Sequence, residues 1–179
     1  MKKIAAITLT LVIFCSGMIF VLTSCSQKVD VESLLEYEQG TPAYSTELSL
    51  GEYSYDINLS LGTNTGEYAV RDGQALISGG ALDGMLFEMK NGELKMKTSG
   101  FECVLAETDS PALYALFSGF AIEPNGFVGV TEDVDGVMTA SFDGKYKYTV
   151  STKKDTKCPI EITVRTDSGE YKIKFKKTE

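Results

Sequence analysis

The chain has 179 residues, with 17 Lys and Arg against 25 Asp and Glu, for a formal net charge of −8. An acidic balance of this kind argues against a nucleic-acid partner, whose phosphates are met by basic surfaces. There is no His and no Trp, so the commonest general base and the commonest metal ligand are both missing.

The first element in chain order is a leader. Met1-Lys2-Lys3 precedes a mostly apolar run from Ile4 to Leu22, which closes in Leu22-Thr23-Ser24-Cys25. An aliphatic residue, two small residues and a cysteine at the end of such a run resemble a bacterial lipoprotein signal. That resemblance implies cleavage before Cys25, diacylation of the Cys25 sulfur, and attachment to the extracytoplasmic face of a bacterial membrane. Two acyl chains anchor stably where one would be marginal. The run is also close to the length of a membrane span, so an uncleaved N-terminal anchor is the other reading. Both place the remainder of the chain outside the cytoplasm. Residues 1–24 are therefore set apart from the fold, and the loss of Lys2 and Lys3 moves the charge to −10. What remains is long enough for one domain with its own core.

Residues 25–42 are expected to be a lipidated tether with a short helix. Asp30 can cap a turn over Val31 to Tyr37, with Val31, Leu34 and Leu35 on one face, and Gly40 and Pro42 stop it. This piece either docks on the domain or spaces it from the membrane. The domain itself is assigned to residues 43–179.

From Tyr44 onward apolar residues recur with a period of two. Tyr53, Tyr55, Ile57, Leu59 and Leu61 alternate with Ser54, Asp56, Asn58 and Ser60, the pattern of a half-buried antiparallel strand. The same alternation marks Tyr44-Thr46-Leu48-Leu50, Met85-Phe87-Met89, Leu94-Met96, Phe101-Cys103-Leu105, Tyr146-Tyr148-Val150, Ile160-Ile162-Val164 and Tyr171-Ile173-Phe175. Leu86 and Val104 break the polar side of the pattern and are expected to lie under another element. Asn91-Gly92 and Asp143-Gly144 suit two-residue hairpin turns, so sequential strands should pair as a meander. One segment departs from the period. Ser110 as cap and Pro111 in the first turn open a helix in which Leu113, Leu116, Phe117 and Phe120 form one apolar stripe. The fold class expected is mainly β within α+β: an antiparallel meander forming an incomplete barrel, with a short N-terminal helix and one mid-chain helix on its concave face.

These features together resemble the LolA/LolB-like superfamily. They are the lipoprotein leader, the N-terminal helix, the alternating strands and the mid-chain apolar helix. The last is a closing hairpin, Pro159-Ile160-Glu161-Ile162-Thr163-Val164 and Tyr171-Lys172-Ile173-Lys174-Phe175. The resemblance covers residues 31–179. It implies an incomplete barrel wrapped around helices, with a cavity that holds acyl chains or other lipids. Members in single-membrane bacteria are often lipoproteins themselves, mostly without an assigned function. LolA latches its lid helix with a buried arginine. The mature chain here has Arg71 and Arg165; neither lies in an evident lid, and Arg165 alternates outward with Glu161 and Thr163, a departure from that pattern.

Little in the chain points to catalysis, and no cofactor motif is present. Ser151-Thr152-Lys153-Lys154 matches S-x-x-K, but it ends a strand where that chemistry needs a helix N-terminus and partner motifs. Glu132-Asp133-Val134-Asp135-Gly136 lacks the oxygens and distal carboxylate of a calcium loop, so no metal site is expected. Gly79-Gly80 is not followed by the helix a phosphate loop requires. Lys172, Lys174, Lys176 and Lys177 are taken as lysines protecting an edge strand, with lipid headgroups as the alternative contact. Cys103 and Cys158 lie 55 positions apart. They are either a disulfide worth roughly 4 kcal/mol in an oxidising exterior or two reduced thiols.

The remaining signal is a soft apolar face: Met85, Phe87, Met89, Met96, Leu113, Leu116, Phe117 and Phe120. Met makes surfaces that adapt to varied apolar guests. Two readings stay open for this face, a ligand cavity or a filled core. Two functions follow: non-catalytic binding of a lipid or other apolar ligand between sheet and helix, or a solid-cored interaction lipoprotein that binds an envelope protein.

Overall fold

The structure, a computed structural model, describes residues 30–50, 52–153 and 159–176. The leader, Cys25, Lys177 and Cys158 lie outside the described residues. Among the described residues no helix is long and apolar enough to cross a membrane.

The chain enters through α1 (Val31–Leu34), capped by Asp30, whose carboxylate accepts the Ser33 N–H at 3.2 Å. It then tightens into a single 3-10 turn, Glu36–Glu38. Leu34, Leu35 and Tyr37 are buried, so this segment docks on the domain.

Eleven described strands follow: β1 (Ala43–Leu50), β2 (Tyr53–Leu61), β3 (Gly73–Ser78), β4 (Leu86–Lys90), β5 (Glu93–Thr98), β6 (Phe101–Leu105), β7 (Phe127–Glu132), β8 (Val137–Asp143), β9 (Lys147–Lys153), β10 (Pro159–Thr166) and β11 (Gly169–Phe175). Between β6 and β7 runs α2 (Pro111–Ser118). All form one antiparallel sheet in the order β6-β5-β4-β3-β2-β1-β11-β10-β9-β8-β7, which does not close on itself. It consists of two meanders, β1–β6 and β7–β11, joined along the β1/β11 seam, where Leu48 sits opposite Ile173 and Thr46 opposite Phe175.

That seam corrects the reading of the last strand. The lysine-bearing β11 is paired on both sides and lies in the middle of the sheet; the two edges are β6 and β7. Lys172 and Lys174 instead occupy the convex, water-facing side, where Lys174 lies opposite Glu47 on β1 and Glu161 on β10. Leu86 and Val104 also face outward. Leu86 is half-buried opposite Leu76 of β3, while Val104 is 59% exposed and uncovered.

The turns divide similarly. Asn91 and Gly92 both have positive φ (51° and 77°), as a two-residue hairpin of mirror-image type requires. Asp143-Gly144 does not make such a turn. Tyr146 leaves the ladder to reach Glu107, so the β8–β9 connection lengthens to three residues and the Gly144 N–H is spent on the Tyr146 carbonyl at 2.9 Å.

Residues on the concave face line up across strands. One row runs Leu59, Ala75, Phe87, Met96, Cys103; the next runs Leu61, Gly73, Met89, Leu94, Leu105. On the other half, Ile173, Ile162, Val150 and Ala140 make a row from β11 to β8. The core lies between these rows and α2.

Candidate apolar ligand groove

Helix α2 is more deeply placed than a one-sided stripe implies. Every residue from Tyr114 to Phe120 is buried, as expected of a helix that the sheet curls around. Its start owes less to Ser110 than the sequence suggests: the Ser110 hydroxyl makes no cap bond. The entry is fixed by Pro111 and by the Ser110 N–H, which donates to the carbonyls of Ala106 and Glu107 at 3.1 and 3.3 Å. The helix leans on β10 and β11. At its C-terminal end a Cβ on Gly119 would meet Ile173 Cδ1 at 3.0 Å and Ile162 Cγ2 at 3.3 Å, so glycine permits this close approach.

Because the helix leans to that side, a gap is left on its other flank, at its first turn. This is a groove of about 240 Å³, open to solvent. Leu48, Tyr55, Ile57, Ile77 and Phe87 from β1–β4 form its floor, Pro111, Ala112 and Leu113 one wall, and Leu82 of the β3–β4 turn the other. Asp109, exposed, and Ser110, half-buried, stand at the rim, and Tyr55 adds a phenol to the lining.

The eight residues picked out by the sequence are distributed unevenly around it. Phe87 and Leu113 line the groove. Met89, Leu116, Phe117 and Phe120 are fully buried among their neighbours in the core. Met85 and Met96 are half-buried and pack against the core, Met96 opposite Phe87 and Cys103 in the same concave row. Cys103 is half-buried on β6. The structure adds Leu48, Tyr55, Ile57, Ile77 and Leu82. Leu48, Tyr55 and Ile57 belong to strands whose alternation was legible; Ile77 lies on β3, which the alternation did not mark, and Leu82 is a lone leucine in a glycine-rich turn with no periodic signal.

A second set of residues holds the N-terminal segment in place. Arg71, in the loop before β3, is 1% exposed. Its Nε donates to the Gly62 carbonyl at 2.9 Å, and its two terminal nitrogens donate to the carbonyls of Glu38 and Gly40. Its backbone N–H donates to the Phe117 carbonyl at 3.1 Å. The sequence reading, which found no latching arginine, is corrected here: Arg71 ties the 36–40 turn to the β2–β3 loop and α2. Arg165 does point outward, paired with Glu170 at 2.6 Å.

Beside Arg71, Glu38 is also buried. Its Oε1 accepts the Ile122 N–H and the Tyr37 hydroxyl, both at 3.2 Å. Burial pushes the Glu38 carboxyl up to about 8, against the opposing pull of these bonds and of the Arg71 charge. Tyr37 is held well above the usual phenol range by burial first and by Glu38 second. Its ring belongs to an aromatic cluster with Phe120 and Phe175, completed by Tyr44 stacked on Phe120 at 5.7 Å.

The other motifs weighed on the sequence fall into structural roles. Ser151 lies within β9, its hydroxyl 3.2 Å from that of Thr139. Asp133 spends one carboxylate oxygen on the backbone N–H groups of Asp135 and Val137, closing the β7–β8 turn. Among the described residues no group of His, Cys, Asp and Glu is placed to hold a metal.

No protein-family model matches the chain, and no curated protein does. Solved structures resemble it at low identity. MucB is 13% identical over 85% of this chain, with a TM-score of 0.49. The lipoprotein LppX of Mycobacterium tuberculosis is 12% identical over 82% of this chain and 91% of its own, with a TM-score of 0.43. A LolA superfamily protein from Nitrosomonas europaea is 10% identical over 82% of this chain and 90% of its own, with a TM-score of 0.44. The chain spans 58% of the MucB chain. At these identities the resemblance says nothing of ligand or partner.

Proposed function

We propose that this protein is a membrane-anchored extracytoplasmic lipoprotein, lipidated at Cys25, whose incomplete barrel binds a lipid or other apolar ligand without catalysis. The observation that carries the reading is the groove beside the first turn of α2. An open, apolar-walled space of about 240 Å³ lies beside a helix whose other flank is closed, with Phe117, Ile162 and Ile173 fully buried. Apolar walls with a few polar groups at the rim are the ordinary construction of a small-ligand site. The Asp109 and Ser110 rim would face a headgroup or water, and the floor would face the chain.

A second reading draws on the sheet edges. Phe101 and Val104 on β6 and Val128 on β7 are 56%, 59% and 63% exposed on strands with one unpaired side, a surface suited to an envelope protein.

Native mass spectrometry with lipid extraction, on the mature chain purified from a bacterial host, separates the two. A lipid retained at about one per chain is the result expected if the groove is the site. A clean apo mass, together with a co-purifying envelope protein lost on Val104→Lys, would transfer the assignment to the sheet edge.

A further inference from the structure

We infer that the β3–β4 turn is the gate of the groove, and that Leu82 sets the length of apolar chain the groove takes. This rests on the reading of the groove as a ligand site.

The turn runs from Gly79 to Gly84, with Gly80–Leu82 as a single 3-10 turn. Its end glycines, Gly79 and Gly84, have φ of +83° and +77°, and a Cβ on either would meet nothing within 4 Å. The turn therefore joins the sheet through two residues with wide backbone freedom and clear space around them. Between them it is tied to itself. The Asp83 carboxylate accepts the Gly79 N–H at 2.6 Å, and the Asp83 N–H donates to the Gly80 carbonyl at 3.4 Å. Below it, the Gly84 N–H and the Ile77 carbonyl at 3.0 Å close the ladder. One bond crosses the Gly84 end, from the Met85 N–H to the Leu82 carbonyl at 3.1 Å, so movement of the turn as one piece about its ends gives up that bond.

Ala81 and Asp83 are exposed; Leu82, half-buried, is the turn's inward side chain and reaches the groove. The neighbouring β4–β5 turn contrasts with this. Asn91 and Gly92 make the tightest possible reversal and contribute nothing to the groove. Seven residues, Gly79 to Met85, connect β3 to β4 where two connect β4 to β5, and Gly80–Asp83 have no role in the ladder, which calls for an explanation.

The size of the groove supplies it. At about 240 Å³ it lies below the roughly 300–1,000 Å³ typical of ligand pockets. The floor is built from paired strands and one wall from a buried helix, both close-packed and slow to yield. Leu82 is the lining residue carried on a hinged turn, so outward rotation of Gly79–Gly84 is the way the groove lengthens. With the turn closed, the groove takes a short apolar chain or the end of a long one. With it open, a longer chain lies along Phe87 toward Met96, its partner in the concave row.

The test uses the whole mature chain carrying Cys25→Ser, so that no attached acyl group competes. Saturated fatty acids from octanoate to stearate displace anilinonaphthalene sulfonate from the wild-type groove, from Leu82→Ala and from Leu82→Trp. Leu82→Ala is expected to move the best-bound acid to a longer chain and to tighten palmitate about tenfold, which is about 1.4 kcal/mol; Leu82→Trp is expected to move it to a shorter one. An unmoved length profile in both variants, with the wild type still binding, overturns the gate and leaves the ligand site standing. Absence of binding in all three overturns the ligand site and the gate with it. Leu82→Trp adds volume where Leu82→Ala removes it, so a fold lost in one leaves the other to decide.

Discussion

The two flanks of α2 face the same concave sheet with the same kinds of side chain, yet one is closed and the other is not. On the β10–β11 side, Phe117, Phe120, Ile162, Val164 and Ile173 are all 0% exposed. On the β1–β4 side the floor residues Leu48, Ile57, Ile77 and Phe87 are buried too, but Leu113, Tyr55 and Leu82 are half-buried around the groove. Composition does not separate the two. What separates them is the lean of the helix, permitted by Gly119 at one end and left uncompensated at the other, where Pro111 and Ala112 are too small to fill the gap. An apolar face becomes a core or a site according to where its covering element sits, and the following variants are chosen to break or sharpen that contrast.

The largest effect belongs to the closed flank. Phe117→Ala should destabilise the fold by about 3–5 kcal/mol, because a fully enclosed ring leaves a cavity that close-packed neighbours cannot fill. Urea unfolding measures it. A loss below about 1 kcal/mol would mean that the closed flank is loosely packed and that the contrast is false.

Next is the buried polar cluster. Glu38 titrates at about 8 in the folded chain against 4.5 ordinarily. Below the lower value both folded and unfolded chains hold the proton, and the group is neutral to stability. As pH rises between the two, the unfolded chain releases the proton while the folded chain keeps it, so stability falls; above the folded value the loss levels off. The loss is on the order of a few kcal/mol for so buried a carboxyl. Glu38→Gln keeps an acceptor for Ile122 and Tyr37 but cannot ionise, so it should flatten the decline and exceed the wild type in stability above that range. Unfolding free energies measured from acid to mildly alkaline pH decide it. A decline of equal steepness in the variant would show that Glu38 is not the group responsible.

Much of this was readable in the sequence, for reasons that also explain what was not. Alternation announced β1, β2, β4–β6 and β9–β11, since each has one face in the core. The β7 signal was scrambled by a register shift between Phe127 and Gly129, which puts successive residues out of phase with the face they occupy. In β8 the inward residue at the centre is Ala140, too small to register as apolar periodicity. The β1/β11 seam is a pairing across most of the chain, which local pattern cannot encode, and so the lysines of β11 looked like an edge. Arg71 and Glu38 looked like ordinary charged residues in a loop and a turn; their burial comes from three segments meeting, Glu38–Gly40, Gly62 and Phe117–Ile122. The groove was half legible: Phe87 and Leu113 stood in the predicted face, while Leu82 became visible only once the turn that bears it was placed.

A smaller effect is expected where the approach to α2 is tied down. The Tyr146 hydroxyl donates to Glu107 Oε1, and Lys145 Nζ lies 2.6 Å from Glu107 Oε2. Glu107 is pushed up by burial, but Lys145 and Tyr146 outweigh this and hold it below the usual carboxylate range. Tyr146→Phe removes one hydrogen bond and should cost about 0.5–1.5 kcal/mol. The Glu107 carboxyl should move up toward its ordinary range, read by carbon NMR during titration. An unchanged titration would mean that Lys145 alone sets it and that Tyr146 does not anchor the segment leading to the groove.

The smallest effect on the fold, and the sharpest on the proposed ligand, is expected four residues before Phe117 on the same helix. Leu113 is half-buried and turned to the groove, so Leu113→Glu leaves no enclosed cavity and lets the new carboxylate reach water at the rim. The stability cost should be about 1 kcal/mol or less. A bound apolar chain, however, would have to lie against a charge or force its desolvation, which costs several kcal/mol in a closed site, so ligand retention should fall at least tenfold. The pair of variants then reads out the two flanks separately: Phe117→Ala loosens the fold, and its effect on retention should follow its stability; Leu113→Glu loses ligand with the fold intact. If Leu113→Glu instead unfolds the chain by several kcal/mol, the open flank is core as well, the groove is a packing gap, and the exposed edges β6 and β7 become the surfaces on which to look for a partner.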